Sequence, residues 1–566
     1  MRRACDIYFF SVAMFRPKIW LILLIVAAAF VWFGRPTYRG WKERRYLARA
    51  KEYLEKRDFA NASLSGQQAV QANPKSVEAA RFMAEFCELV RSPNAIGWYE
   101  RLADLEPGVL DDKIKVVYLA LRSQQFAKAD EMLRRAGPRE QATGFYHQAA
   151  AATAISTNNL IAGEKHLVEA VRLDPTNDMH ALNLGVFHLG SSQSNIVAEG
   201  RRTLEKIPAN SPRRGQALRA LISDSVRQKN FPRAIEFSNE LISNPASGFE
   251  DRTAHLSLLK SSKSPEFDAF LQATRAQAIL KAEDVFALGH WMLLNEGGEK
   301  ALAWLNSLPP AIQTQQPVPM IVADCSVAVK KWSALESLLK NKNWENMEYV
   351  RHGFLARALR ELKQAEASNA EWQKAVASAG GRLEALTGLN TMATNWKWDK
   401  EREELLWTIF KKFPSEQWTL RPLHDSYLAR KNTQGLFAVL NAMVEIDSKN
   451  FIAKNNLAMI SLLLSTRVSQ AHALARDAYS QAPMMPAVAA TYAYSLHLQG
   501  KTAEGLKVLE KLNQEQLSDP SVAAYYGVLL AATGDNVKAK KYLALTDKSK
   551  LLPEEQAMLA RVTMGL

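Results

Sequence analysis

Small residues recur at a fixed interval in the C-terminal part of the chain. Gly500 and Gly534 lie 34 residues apart, and so do Ala493 and Gly527. Leucines between them follow helical spacing, so each interval predicts a helix, a tight turn and a second helix. Because a small side chain lets two helices approach closely, its return at this interval indicates that the same contact between helices is repeated.

The N-terminal pattern is apolar without being periodic. The fifteen residues from Ile19 to Phe33 carry no charge, and at about 1.5 Å per residue they span roughly 22 Å of the ~30 Å hydrocarbon core of a bilayer. Basic and tryptophan side chains flank this segment and can anchor it at the membrane interface. The pattern predicts a basic N-terminal tail over residues 1–18 and a transmembrane anchor over residues 19–34.

A cleaved signal peptide is the alternative interpretation of this segment. Residues 27–29 are three alanines that fit a cleavage site, and the residues before them fit the apolar core of a signal peptide. The chain stays apolar beyond that site, through Trp32 and Phe33, which favours an uncleaved anchor. A second apolar run before Arg16 leaves two candidate starts of translation, Met1 and Met14.

The positive charge of the chain is concentrated around the apolar segment. The first 57 residues hold thirteen basic and four acidic side chains, so they supply +9 of the formal net charge of +14. A nucleic-acid-binding protein carries its basic residues on the folded body, whereas a membrane protein places them beside the span. We therefore expect a membrane partner through residues 19–33 and no nucleic acid partner.

The repeated units resemble tetratricopeptide repeats, which place small, aromatic and proline residues at fixed positions. The unit that begins at Glu43 matches the full pattern, in Tyr46, Ala50, Tyr53, Ala62, Ala69 and Pro74. The unit that ends at Pro483 matches in part, in Ala458, Ala471, Ala478 and Pro483. The resemblance is to membrane-anchored, bacterial-type members of the family. It implies an all-α solenoid, a right-handed superhelix of about fifteen helical hairpins at ~34 residues each, behind one transmembrane helix.

The match to the repeat pattern varies along the chain and divides it into three parts. An N-terminal array is expected over residues 43–245, and a C-terminal array with a capping helix over residues 447–566. Over residues 246–440 the helical pattern continues, but the spacing drifts and prolines such as Pro309 and Pro310 interrupt it. This middle region is therefore predicted to be helical and irregular.

Motifs for catalysis or for a cofactor are missing from the sequence. Phosphate-binding glycine loops, HExxH and GxSxG do not occur. The three cysteines are too far apart in sequence for a CxxC metal or redox site. His180 and His188 lie on one predicted helix, with no acid or cysteine to complete a ligand set. We expect no enzyme activity, no metal site and no cofactor.

Candidate binding residues follow from the resemblance. In the family, positions 5, 9 and 12 of each unit face the groove, and in the C-terminal units these positions include Asn455, Met459, Tyr494 and His497. The lining is largely apolar, which suits an apolar helix or an extended segment of a protein or peptide partner. The alternative is that these side chains simply pack against neighbouring helices.

Tryptophan suggests a second candidate surface. Nine of the thirteen tryptophans lie between residues 291 and 418. Trp396 and Trp398 flank a single lysine, so we expect that they cannot both be buried in one direction and that at least one indole is partly exposed. The alternative is that the indoles fill space between helices that lack the usual small residues.

These features predict a membrane-tethered scaffold or adaptor that binds other proteins in the cell envelope. The expected location is the bacterial inner membrane, as a single-pass protein with the solenoid on the exported, periplasmic side. One alternative is an enzyme or glycan-handling component with a site in the tryptophan-rich middle region. Another is a soluble exported repeat protein, which follows if the signal peptide is cleaved.

Overall fold

The computed structural model describes residues 38–566 of the chain. These residues form α-helices and turns, with two 3-10 helices (Glu345–Met347 and Gln417–Thr419) and no β-strand, which confirms the all-α prediction for this part of the chain. The predicted anchor and both candidate starts lie outside the described residues. Among residues 38–566, no helix has both the length and the apolar character needed to cross a bilayer.

The chain divides into two compact units, with the boundary between Gln277 and Ala278. The helices of the first unit are α1 (38–55), α2 (Phe59–Ala72), α3 (Val77–Leu89), α4 (Ala95–Leu105), α5 (Leu110–Arg122), α6 (Phe126–Arg134), α7 (Pro138–Gln141), α8 (Gly144–Ser156), α9 (Leu160–Leu173), α10 (Asp178–Leu189), α11 (Ser194–Glu205), α12 (Arg214–Arg227), α13 (Phe231–Ser243), α14 (Phe249–Ser261) and α15 (Phe267–Ala278), which ends at the boundary.

The second unit continues with the same kind of helices. They are α16 (Ala282–Asn295), α17 (Gly298–Asn306), α18 (Pro310–Gln313), α19 (Val318–Ala328), α20 (Trp332–Leu339), α21 (Glu348–Glu361), α22 (Ala365–Ala379), α23 (Leu383–Asn395), α24 (Asp399–Lys412), α25 (Leu420–Ala429), α26 (Thr433–Ile446), α27 (Phe451–Leu463), α28 (Val468–Gln481), α29 (Pro486–Leu498), α30 (Thr502–Leu509), α31 (Gln514–Leu517), α32 (Pro520–Ala532), α33 (Asn536–Leu543) and α34 (Pro553–Met564).

Consecutive helices form hairpins closed by one kind of turn. In almost every hairpin, the turn contains a residue with positive φ. These residues are Arg57, Arg91, Gln124, Asn158, Lys229, Lys263, Gly297, Lys330, Lys363, Lys397, Lys431, Ser465, Gly500 and Gly534. They recur every 33 to 35 residues, except between Asn158 and Lys229, where the hairpin of α10 and α11 lacks one. The left-handed residue reverses the chain after the first helix, as glycine does at many helix ends.

The turn interval persists through residues 246–440, where the sequence spacing drifts. Lys330, Lys363 and Lys397 hold the same left-handed position as Gly500 and Gly534. The interval between turns is therefore kept in this region. The turn residue is lysine in each of its hairpins except that of α16 and α17, which has Gly297. The domain boundaries drawn from the sequence stay predictions.

The second helix of a hairpin often begins with an amide or acid side chain next to the left-handed residue. Asp58, Asn159, Asn230 and Asn432 each accept a hydrogen bond from the backbone N–H three residues later. This N-cap satisfies one of the donors that a helix start leaves unpaired. A left-handed residue followed by a capping residue thus ends one helix and starts the next.

The two helices of a hairpin cross at small residues. A Cβ added to Gly505 of α30 would lie 2.7 Å from the carbonyl oxygen of Ala493 of α29. In the first unit, a Cβ on Gly200 of α11 would lie 2.8 Å from the carbonyl oxygen of Gly185 of α10. Both distances are shorter than van der Waals contact, so the crossing requires the small residue that the sequence pattern predicts.

First helices of successive hairpins also contact each other. Within the first unit α5 contacts α8 and α10 contacts α12, and within the second unit α27 contacts α29 and α29 contacts α32. We call the surface formed by such a row of first helices the first-helix face. Each helix pair is too short to be stable alone, so this stacking buries the apolar side that each hairpin exposes.

Substituting alanine at two glycines of the first unit tests the crossing. We expect Gly200→Ala to lower the free energy of unfolding by about 1–3 kcal/mol, because the new methyl group overlaps backbone atoms of α10. Gly215→Ala in α12 is the matched control, since its nearest neighbours would lie 3.5–3.7 Å away. The control should be neutral or stabilising by up to about 1 kcal/mol. Urea unfolding of both variants measures the difference in the free energy of unfolding. Equal losses of stability in the two variants would contradict a close helix crossing at Gly200.

One buried histidine makes the first unit sensitive to acid. His255 of α14 is 1% exposed, and its Nδ1 lies 2.9 Å from the hydroxyl of Ser238 in α13. Its ring packs edge-on against Phe270, 4.6 Å between centroids. Burial, with a smaller contribution from the nearby Arg252, lowers the pKa of His255 to about 4. An exposed histidine has a pKa near 6.5, so protonation favours the unfolded chain.

We expect His255 to make stability fall as the pH decreases below about 6.5. Between pH 7 and pH 5 the loss due to this residue should be about 2 kcal/mol, because each pH unit below the unfolded-state pKa costs about 1.4 kcal/mol until the folded-state pKa is reached. Urea unfolding of His255→Gln at the two pH values should lack this part of the loss. His290→Gln, at an exposed position of the second unit, should retain it. An unchanged pH dependence in His255→Gln would show that the loss has another source.

Candidate functional site

The first helices of the last three hairpins line one wall of a cavity. Its volume is about 410 Å³, and the wall includes Asn455 and Met459 of α27, Ala490 of α29 and Tyr525 of α32. The opposite wall belongs to the chain that follows α33 and includes Lys550. We call residues 547–566, which contain α34, the C-terminal segment.

The C-terminal segment runs back to the hairpin of α25 and α26. The Nζ of Lys431 donates a hydrogen bond to the carbonyl oxygen of Ser549 at 2.6 Å, across 118 residues of sequence. The hydroxyl of Thr433 donates to Oε2 of Glu554 at 2.5 Å, across 121 residues. Contacts in a stack of hairpins normally join nearest neighbours. The C-terminal segment therefore bridges the three hairpins that lie between these residues.

Glu555 lies in the first turn of α34 and binds this helix to the first-helix face. One carboxylate oxygen accepts a hydrogen bond from the backbone N–H of Leu552 at 2.8 Å, as in a capping box. The other oxygen accepts a hydrogen bond from the hydroxyl of Tyr525. Burial, and secondarily the negative charge of Glu555, raises the pKa of Tyr525 well above its usual value. Tyr525 therefore stays protonated and acts as a hydrogen-bond donor.

Apolar contacts complete the attachment of the C-terminal segment at two places. Leu552 belongs to the hydrophobic cluster formed by leucines of α25, α26 and α27. Leu559 of α34 belongs to the cluster that contains Tyr494 and Tyr525, whose ring centroids are 5.2 Å apart. Both leucines are less than 9% exposed. The segment is thus held by a leucine on each side of its two glutamates.

The polar groups around the cavity include more acids than bases. Asp519, Asp547 and Glu555 line it together with Lys550. Hydrogen bonds from Ser521 and from Ser549 lower the pKa values of Asp519 and Asp547, so both carboxylates are charged at neutral pH. The cavity therefore presents hydrogen-bond acceptors mainly at the start of α32 and in the C-terminal segment.

Asn455 has an unsatisfied hydrogen-bonding group at this cavity. The side chain is 5% exposed, and its Nδ2 donates to Oδ1 of Asn456 at 3.2 Å. Its own Oδ1 accepts no hydrogen bond from a protein group. A buried polar atom without a partner costs about 1–3 kcal/mol. The C-terminal segment thus covers Asn455 without supplying the donor that it needs.

The structure places the four predicted groove residues on the expected helices but in different environments. Asn455 and Met459 line the cavity. Tyr494 is 7% exposed and lies beneath α34, near Tyr525. His497 lies at the end of α29, where its Nδ1 is 3.0 Å from the hydroxyl of Thr502. Burial lowers the pKa of His497, which keeps the ring neutral. Their roles in binding stay predictions.

Trp396 and Trp398 lie in a different cluster from the cavity. Their ring centroids are 5.1 Å apart, and Trp372 packs against both. Trp398 is 5% exposed and Trp396 is half-buried. The two indoles contact one cluster on either side of Lys397, which adopts φ 58°, and Trp396 keeps a partly exposed ring. Their role in binding stays a prediction. The guanidinium of Arg360 stacks on Trp398 at 3.6 Å.

The two histidines that the sequence places on one helix, His180 and His188, make side-chain contacts within the first unit. His180 Nδ1 lies 2.7 Å from Oε1 of Gln148, and His188 Nε2 lies 3.2 Å from a carboxylate oxygen of Glu164. In the described part of the chain, no three histidine, cysteine or acidic side chains come together as a metal site requires.

Comparisons with known proteins give weak similarities only. No protein family pattern matches the chain. No curated protein matches it in sequence. Among solved structures, the APC/C hetero-tetramer Cut9-Hcn1 gives a TM-score of 0.27 at 12% identity, over 82% of this chain and 99% of that one. Pseudomonas aeruginosa PilF gives a TM-score of 0.25 at 10% identity, over 42% of this chain and 93% of that one. Naa15/Naa10 bound to HypK-THB gives a TM-score of 0.24 at 15% identity, over 92% of this chain and 70% of that one. These values are too low to support an argument about function.

The residues that sequence reasoning missed belong to the C-terminal segment and its contacts. The sequence did predict a capping helix at the end of residues 447–566, but not its contacts. Nothing in the local pattern indicated that Lys431 and Thr433 would bind this helix start. A contact across 118 residues leaves no periodic signal, because it occurs once and outside the repeat.

A double-mutant cycle tests the contact between Tyr525 and Glu555. We expect Glu555→Ala to lower the free energy of unfolding by about 1–3 kcal/mol, because the buried hydroxyl of Tyr525 loses its acceptor. Tyr525→Phe should cost much less in the Glu555→Ala background than in the wild-type chain, since it then removes an unpaired hydroxyl. Urea unfolding of the four proteins gives the coupling energy. Additive effects would show that the two side chains do not interact.

Proposed function

We propose that the chain is a scaffold that binds other proteins or peptides through the first-helix faces of its hairpins. One observation carries this proposal: the face formed by α27, α29 and α32 already holds a helical segment, α34, by apolar and hydrogen-bonding contacts. A face that accommodates one amphipathic helix has the dimensions for helix-in-groove recognition. Binding, not catalysis, is the activity that this geometry supports.

The first unit offers a similar face that none of its described residues covers completely. Tyr118, Val186 and Val226 lie on the first helices α5, α10 and α12, and they are 38%, 47% and 38% exposed. Isolated apolar side chains are common on protein surfaces. Their recurrence on first helices at positions 9 and 12 of the repeat supports a second protein-binding surface.

We also propose that residues 19–34 tether this scaffold to the bacterial inner membrane, with the solenoid on the exported side. The apolar run and its flanking charges and tryptophans support the tether. Confinement to a membrane raises the effective concentration of the scaffold toward other envelope proteins. The hairpins are then tetratricopeptide repeats of a membrane-anchored protein, as the sequence pattern implies.

Site-specific photocrosslinking in intact cells tests the scaffold function. We expect a crosslinking amino acid at Val186, on the first helix α10, to give discrete adducts with other proteins. Val168, on the second helix α9, is a matched control because the two valines are 47% and 46% exposed. Adducts at Val186 that stay with the membrane pellet after alkaline washing would also support the tether. Equal adducts at both positions, or none at either, would argue against first-helix recognition.

A further inference from the structure

We propose that the first-helix face of α27, α29 and α32 is a docking site for a partner helix that begins with two acidic residues between leucines. The C-terminal segment occupies this site within the same chain and competes with the partner. The inference rests on the proposed scaffold function and names the partner class for one of its surfaces.

The receiving surface is built to bind carboxylates at a helix start. Thr433 and Tyr525 come from different hairpins, and each donates its hydroxyl hydrogen to one of two consecutive glutamates. Lys431 donates to the carbonyl oxygen of Ser549, just before the helix. Hydrogen bonds to charged acceptors are about twice as strong as neutral ones. The surface thus recognises adjacent acidic residues in the first turn of a helix.

The apolar contacts fix the spacing of the partner's hydrophobic residues. Leu552 precedes the two glutamates and enters the cluster of α25–α27. Leu559 follows Leu552 by seven residues, about two helical turns, and enters the cluster of α29 and α32. Met558 and Val562 pack at the edge of the second cluster. A partner helix should therefore carry an apolar residue at its N-cap and another seven positions later.

The fit of the C-terminal segment is incomplete. A cavity of about 410 Å³ remains between the segment and the face. The Oδ1 of Asn455 at this cavity accepts no hydrogen bond from the protein. A partner helix whose side chains fill the cavity would bind better than the segment itself. This difference is what allows displacement, because a ligand shifts an equilibrium only by its differential affinity.

Competition between the segment and a peptide in solution tests the proposal on the full chain. The probe is a fluorescent synthetic peptide with the sequence of residues 546–566. The variant carries Glu554→Ala and Glu555→Ala, which removes both carboxylate contacts of the segment but leaves the face intact. We expect the peptide to bind the variant at least tenfold more tightly than the wild-type chain, in which the attached segment has the advantage of high effective concentration. Fluorescence anisotropy measures both affinities.

Two controls connect binding to the named contacts. A peptide with both glutamates replaced by glutamine should bind the variant at least tenfold more weakly. Thr433→Val, added to the variant chain, should weaken binding of the native peptide, because it removes the hydroxyl that donates a hydrogen bond to a carboxylate of the peptide. Hydrogen exchange should show faster exchange in residues 547–566 of the variant, while α32 remains folded and more protected than the released segment.

Three outcomes would overturn the proposal. The first is no peptide binding to the variant although hydrogen exchange shows that its segment is released. The second is an unchanged, protected segment in the variant, which would mean that the glutamates do not hold it. The third is a wild-type dimer that the peptide dissociates, which would identify the occupant as the segment of a second copy. Any of these leaves the crosslinking test at Val186 unaffected, so failure here is distinct from failure of the scaffold function.

Discussion

The close crossing of two helices within each hairpin is the contact on which the rest of the molecule depends. At Gly505 and Gly200 the backbones approach so closely that a methyl group would overlap a carbonyl oxygen. Helices of about a dozen residues are marginal in isolation, so their stability comes from this packing. The crossing sets the direction of the second helix, and that direction places the first helices of successive hairpins side by side.

The sequence predicted this architecture where small residues recur at the repeat interval, as in the unit that begins at Glu43 and in the last two hairpins. Gly500 and Gly534 gave a visible period, and both have positive φ. In the middle of the chain the same position holds Lys330, Lys363 and Lys397, which a sequence pattern does not associate with a left-handed conformation. The repeat looked irregular over residues 246–440 because its spacing drifts and prolines such as Pro309 interrupt it, although the interval between turns persists. The geometry of the hairpin imposes the conformation on lysine at some cost in strain.

The candidate site could be predicted only on the side that the repeat contributes. Asn455 and Met459 followed from their positions in a unit, and both line the cavity. The opposite wall comes from a segment outside the repeat, so periodicity could not place Glu554 beside Thr433. The tryptophan pair also depends on a local feature of the backbone. Lys397 adopts a left-handed conformation, so Trp396 and Trp398 both contact the same cluster. A sequence pattern that assigns alternate residues to opposite sides does not predict this arrangement.

The return of the C-terminal segment changes how the last hairpins share their stability. A linear stack can fray one repeat at a time from its end, because each repeat interacts with its neighbours alone. Contacts between residues 431 and 549 close the intervening hairpins into a loop, so the terminal repeat cannot detach without also breaking contacts with the hairpin of α25 and α26. This long-range closure raises the local contact order and makes these repeats unfold as one cooperative block.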